Sequence, residues 1–149
     1  MNYELPTYNC SPRALGVDFG EVRIGLAITD ELRMLAHPLI TLDARNPKVM
    51  RQIGEIVMEK NVRDVVLGLP RNMDGSYGAA AEKVRVFATL LKQEIKCPLH
   101  LWDERWTTVA AQRALREAGK KTKEYRGFVD QVAAQLLLQS WMDAQPPSL

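Results

Sequence analysis

The sequence predicts an α/β domain built on a mixed five-stranded sheet, three antiparallel strands and then parallel ones, flanked by helices. Three observations carry that expectation. Residues 14–30, ALGVDFGEVRIGLAITD, alternate large and small side chains on both sides of Gly20, the pattern of two strands joined by a glycine turn. Val65, Val66 and Leu67 form a short apolar run between two helical patterns, as in a strand buried on both faces within a parallel pair. The periods follow the order β-β-β-α-β-α-β-α-α, which suits a sheet with helices packed on it.

In the hairpin, Leu15, Val17 and Phe19 share one face with a core, and Ala14, Gly16 and Asp18 share the other. The second strand repeats the division, with Ile24, Leu26 and Ile28 opposed to Arg23, Gly25 and Ala27. Asp18 therefore lies among small residues, where missing bulk lets a backbone, an ion or a phosphate come close. A hairpin with a solvated aspartate accounts for the same spacing.

Residues 32–42 (LRMLAHPLITL) read as a third antiparallel strand, with Pro38 marking an edge or a bulge. Asn46-Pro47 opens a helix whose buried stripe is Val49, Ile53, Ile56 and Val57, and Asn61 is its stop. The strand at 63–69 runs into the turn-rich loop GLPRNMDG (68–75), at the carboxyl end where open sheets place their sites. A helix follows at 79–95 with Val84, Phe87, Leu91 and Ile95 inward. In the strand at 98–104, His100, Trp102 and Glu104 face one way and Leu99, Leu101 and Asp103 the other. Thr107 or Thr108 caps a helix ending near Gly119. The last helix runs from 128 to about 144.

A chain of 149 residues with 46% apolar and 26% charged residues suits one domain with its own core. Its expected organisation is a flexible arm at 1–13, the folded domain at 14–144 and a tail at 145–149. The arm has neither a basic start nor an apolar run, so it does not read as a signal peptide. No stretch approaches the roughly 18 apolar residues of a membrane span, and Cys10 and Cys97 make no disulfide framework or metal spacing. The expected compartment is the cytoplasm. A net charge of +2 is too small to imply a nucleic-acid partner by itself, but six basic residues (Arg113, Arg116, Lys120, Lys121, Lys123, Arg126) stand against Glu117 and Glu124 in one segment. That segment admits two readings, a patch that follows a phosphate backbone or a solvated helix end.

Three acids stand out. Asp18 is mid-strand, Glu104 ends a later strand with Asp103 as its competitor across the pleat, and Asp130 heads the apolar stripe Ala133, Ala134, Leu137, Trp141 of the last helix. Each has an ordinary alternative: Asp130 as a carboxylate near a helix start, Glu104 as a surface partner of Arg105. Gathered at one end of a sheet they would repel one another unless cations neutralised them. Hard divalent ions with oxygen ligands meet that need, and two such ions about 4 Å apart suit phosphodiester cleavage. His37 and His100 have no metal-ligand spacing.

Four stretches in order, GVDFGEVRIGLAITD, VVLGLPRNMDG, DERWTT and FVDQVAAQLLL, resemble the motifs of the YqgF (RuvX) family. Its members are ribonuclease H-like proteins described as Holliday-junction-resolvase-like and as nucleases maturing the 5′ end of pre-16S ribosomal RNA. The resemblance covers about residues 14–144. It implies an RNase H-like fold, metal-dependent phosphodiester hydrolysis and an acidic triad on Asp18, Glu104 and Asp130, with the Gly68-Leu69-Pro70 loop bordering the site. The family often has a basic residue two positions before the last aspartate; here it is Phe128, with Arg126 nearby to supply charge.

The leading expectation is thus an endonuclease for structured nucleic acid, using Mg²⁺ or Mn²⁺ in a two-metal site on Asp18, Glu104 and Asp130. Arg23, Arg105, Arg113, Lys120, Lys121, Lys123 and Arg126 would hold the backbone. The preferred substrate, pre-16S rRNA, rests on the resemblance alone. A Holliday junction resolvase acting on branched DNA is the alternative and would favour a homodimer over a monomer. A non-catalytic RNA-binding module and an actin-like nucleotide-binding protein, whose first hairpin also carries D-x-G, are further readings.

Overall fold

A computed structural model describes residues 12–72, 74–104 and 123–146, with the backbone alone at 123–125. The expected arm at 1–13, apart from its last two residues, lies outside them. So do the helix placed after Thr107 and the end of the tail.

Five strands form one sheet in the order β3-β2-β1-β4-β5. β1 (Arg13–Phe19), β2 (Arg23–Thr29) and β3 (Ala36–Asp43) make an antiparallel meander. β4 (Val62–Leu69) lies parallel to β1, and β5 (Leu99–Asp103) parallel to β4. The parallel pairs need crossovers: α1 (Val49–Glu59) and α2 (Ala79–Glu94) provide the connections flanking β4. α3 (Lys123–Asp143) is the last element.

The alternation in the strands divides the core in two. Leu15, Val17, Ile24, Leu26, Val65 and Leu67 pack with Val49, Ile53 and Val57 of α1 and Val84, Phe87 and Leu91 of α2. On the opposite face Ala14, Ala27, Ala36 and Val66 pack under Ala134, Leu137, Leu138 and Trp141 of α3. The small residues of the strands thus all meet one helix. Among the described residues no helix is long and apolar enough to cross a membrane.

Three boundaries differ from expectation by more than one residue. β3 begins at Ala36 rather than residue 32 because the Asp30 carboxylate accepts hydrogen bonds from the Met34 and Leu35 amides, 2.8 and 3.4 Å, and closes a turn there. Pro38 sits beside a register shift on the edge strand, as its missing amide requires. α1 starts at Val49, just after Pro47. Its stop is as expected, with Asn61 at φ 54°. α3 begins at Lys123 rather than residue 128, so Gly127 lies within the helix. Tertiary contact offsets the glycine's poor helix propensity: the Thr41 hydroxyl donates to the Gly127 carbonyl at 2.6 Å. Asp130 consequently sits about two turns inside the helix, too deep for the dipole at the helix start to explain it.

Candidate active site

Asp18 projects from the small-residue face of β1 and has Gly25 of β2 as its neighbour, which in turn pairs with Thr41 of β3. Above that row α3 lies almost on the sheet backbone. A Cβ on Gly25 would fall 2.0 Å from the Asp130 carbonyl oxygen, and one on Gly16 2.8 Å from the Ala134 carbonyl oxygen and the Leu138 Cβ. The glycines set the depth at which the helix rides, and the helix brings Asp130 to the strand bearing Asp18. On the other side of Asp18, the position a Cβ would take on Gly68 is only 2.2 Å from Glu104 Oε2. Glu104, just past β5, thereby folds its carboxyl group over β4 toward β1.

The three sequence-selected acids therefore interact. Asp18 donates a hydrogen bond to Glu104, and its pKa is pushed up to about 8, first by burial and then by the charges of Glu104 and Asp130. Glu104 is also raised, by burial and by Asp103, while the hydrogen bond from Asp18 acts in the opposite sense. Asp130 is held by Arg23, whose Nε lies 2.7 Å from Oδ2. Asp103 is drawn to Arg71, its Oδ2 3.6 Å from Nη1. The pleat thus assigns the adjacent acids to different partners, Glu104 to Asp18 and Asp103 to the loop after β4.

Among the described residues no group of three or more His, Cys, Asp or Glu forms a ready-made metal cage. The donor chemistry nonetheless fits a hard cation: oxygen ligands only, and two carboxyl groups sharing one proton where burial and repulsion disfavour a second negative charge.

Of the residues expected to hold nucleic acid, Arg23 is engaged with Asp130, and Arg126 is exposed on α3 and lines a groove with Arg23. Arg105, Arg113, Lys120 and Lys121 lie outside the described residues, as does the Lys123 side chain. Sequence reasoning missed the Arg23–Asp130 pair and the role of Arg71. Arg71 donates from Nε to the Gly75 carbonyl at 2.6 Å and stacks its guanidinium 5.0 Å from the Tyr77 ring centre. A lone arginine in a turn-rich loop gives no signal of that kind; Arg23 two residues before Gly25 on the Asp18 face did.

The profile of the RuvX family, described as Holliday junction resolvase, matches residues 12–144. The chain belongs to the RuvX family. A Chloroflexus aggregans protein provisionally named pre-16S rRNA nuclease is 42% identical over 132 residues, covering 88% of this chain and 93% of its own. A Myxococcus xanthus protein of the same name is 43% identical, covering 91% and 90%. Among solved structures, Thermus thermophilus RuvC in complex with a Holliday junction superposes with a TM-score of 0.56 over 92% of this chain and 99% of that one. The fowlpox virus resolvase bound to Holliday junction DNA gives 0.53 over 89% and 97%. Both are 12% identical to this RuvX protein and speak to the fold, which is RNase H-like as the motifs implied.

Proposed function

We propose that the protein is a divalent-metal-dependent endonuclease that hydrolyses phosphodiester bonds in structured RNA, with the 5′ end of pre-16S rRNA as its substrate. The observation that carries this is the meeting of Asp18, Glu104 and Asp130, which are distant in sequence, at the seam between β1, β4 and α3. The names of the relatives supply the substrate. Such a substrate places the activity in the cytoplasm.

In this reading Asp18, Glu104 and Asp130 would hold Mg²⁺ or Mn²⁺. When bound, such ions supply positive charge at the phosphoryl oxygens and make water a stronger nucleophile. For the site to take a cation Asp18 would have to give up the proton it shares with Glu104, and Arg23 fixes the orientation of Asp130 from the second strand. Gly25 and Gly68 keep the floor of the site thin, so that no side chain intrudes between the acids.

The test is cleavage of a 5′-extended 16S precursor fragment with Mg²⁺, with Mn²⁺ and with chelator. The fragment is expected to be cut with either ion and not with chelator. Asp18→Asn is expected to keep the fold and lose on the order of 10³-fold in rate, as the loss of several kcal/mol of charge stabilisation requires. Parental cleavage by Asp18→Asn, or cleavage in chelator, refutes the assignment. The family's description favours a second reading, symmetrical resolution of branched DNA. A four-way DNA junction in the same assay decides between them.

A further inference from the structure

Beyond Asp130 the row of paired residues continues to the open edge of the sheet. Asp18 faces Gly25, and Gly25 faces Thr41 on the edge strand β3. Thr41 is tied into α3: its hydroxyl donates to the Gly127 carbonyl and accepts from Gln131 Nε2 at 3.1 Å. Where β2, β3 and the start of α3 meet there is a cavity of about 530 Å³, lined by Val22, Arg23, Thr41, Asp43, Arg45 and Arg126 among others. That volume lies within the range of about 300–1,000 Å³ typical of ligand sites.

Three guanidinium groups and one carboxylate line this groove. Arg23 is turned toward Asp130 at 2.7 Å and Arg45 toward Asp43 at 3.2 Å. Arg45 is 70% exposed on its side chain, and Arg126 is exposed as well. An exposed pair such as Arg45–Asp43 contributes little to stability, so an incoming phosphate can take that guanidinium at small cost. Arginine forks match phosphate oxygens in two-point geometry. A polyanion crossing a cluster of acids also needs cations beside it, and in the described structure the β3 side has them.

We propose that the Arg23–Arg45–Arg126 groove is a phosphate subsite, taking the sugar-phosphate backbone of the strand that passes over the acids toward the β3 edge. This deepens the nuclease reading and rests on it for the identity of the bound strand. Contacts of this type position the strand and are indifferent to sequence.

The experiment measures binding of a 5′-extended 16S precursor fragment by the Asp18→Asn protein, which holds RNA without consuming it, across a salt series. Arg45→Ala combined with Arg126→Ala leaves Arg23 and Asp130 intact and is compared with Arg51→Ala combined with Lys60→Ala, an equal loss of charge on and just after α1, the helix on the opposite face. The groove variant is expected to bind at least about tenfold more weakly, with a slope of log affinity against log salt smaller by about 1.4 to 1.8, as two lost phosphate contacts require. The control is expected to keep the parental slope. Equal losses in both variants, an unchanged groove variant, or no RNA binding by the parent overturns the subsite. If the groove variant alone loses binding while protein with native Asp18 cuts no substrate, the subsite stands and the nuclease reading falls. If cleavage proceeds and the groove variant binds normally, the reverse holds.

Discussion

Asp18 is an acid placed where its charge is costly, and pH exposes that cost. Unfolded, it titrates near its ordinary value of 3.8; folded, near about 8 because it is buried beside two other acids. Between those values the folded protein retains a proton that the unfolded chain has released, so stability falls as pH rises. The contribution present at pH 4 is lost by about pH 8, and Glu104, shifted the same way, adds to the trend. The metal-free protein is therefore expected to melt at progressively lower temperature from pH 5 to pH 8. Asp18→Asn flattens that profile and melts above the parent at pH 8. Millimolar Mn²⁺ is expected to raise the parent's melting temperature at pH 8 and to have a smaller effect on the variant. Thermal melts of both proteins across that range check the claim; parallel profiles, or indifference to the ion, would show that Asp18 is neither repelled nor relieved in the folded state.

α3 is the element that completes the site, and two devices seat it. One is the absence of side chains beneath it, at Gly16 and Gly25. The other is a series of glutamines at four-residue spacing, which on a helix share one side. Gln131 donates to the Thr41 hydroxyl, Gln135 to the Ala36 carbonyl, and Gln139 accepts from the Ala36 amide while donating to the Met34 carbonyl. Together they tie α3 to an edge strand that would otherwise present free backbone groups. Gly25→Ala would set a methyl 2.0 Å from a main-chain oxygen that no rotamer change can move. Overpacking of that kind costs about 3 kcal/mol, a fall in melting temperature on the order of 10 °C. Cleavage measured well below the transition is expected to fall too, because the displaced residue is Asp130 itself. A variant with parental melting and activity would mean that the helix does not ride on Gly25. The small face of the hairpin was legible in the sequence because strand alternation is strict, and so was the line from Asp130 to Trp141. The true start of α3 was not, since a glycine among charged residues reads as loop until Thr41, 86 positions away, is seen to anchor it. The glutamines were equally silent: polar residues on a helix read as solvated until an edge strand is found beside them.

At the scale of the molecule the sheet separates two layers with unequal roles. α1 and α2 close one face with a large aliphatic and aromatic core, and none of the three acids belongs to that layer. α3 closes the other over a smaller core, and its Leu137 Cδ2 lies 3.2 Å from the Cβ position of Gly68, the same point that Glu104 Oε2 crowds. The succession of strands and helices along the chain was readable from alternating periods, but the order β3-β2-β1-β4-β5 in the sheet and this division of labour needed the strand pairings and the contacts of α3. It leads to a paired prediction. Leu91 and Leu137 are both buried, at 0% and 1% exposure, so truncating either to alanine is expected to cost about 2–5 kcal/mol. The effects on catalysis should differ. Leu91→Ala opens a void behind the sheet, and at 20 °C, with the protein still folded, it is expected to cleave at the parental rate. Leu137→Ala opens a void beside Glu104, frees that carboxyl group to leave Asp18, and is expected to lose at least about tenfold in rate, equivalent to roughly 1.4 kcal/mol in the barrier. Rates and melting curves for the two variants, taken side by side, separate the layers. Equal rates at equal stability would mean that packing around α3 is no more bound up with the acids than packing anywhere else in the fold.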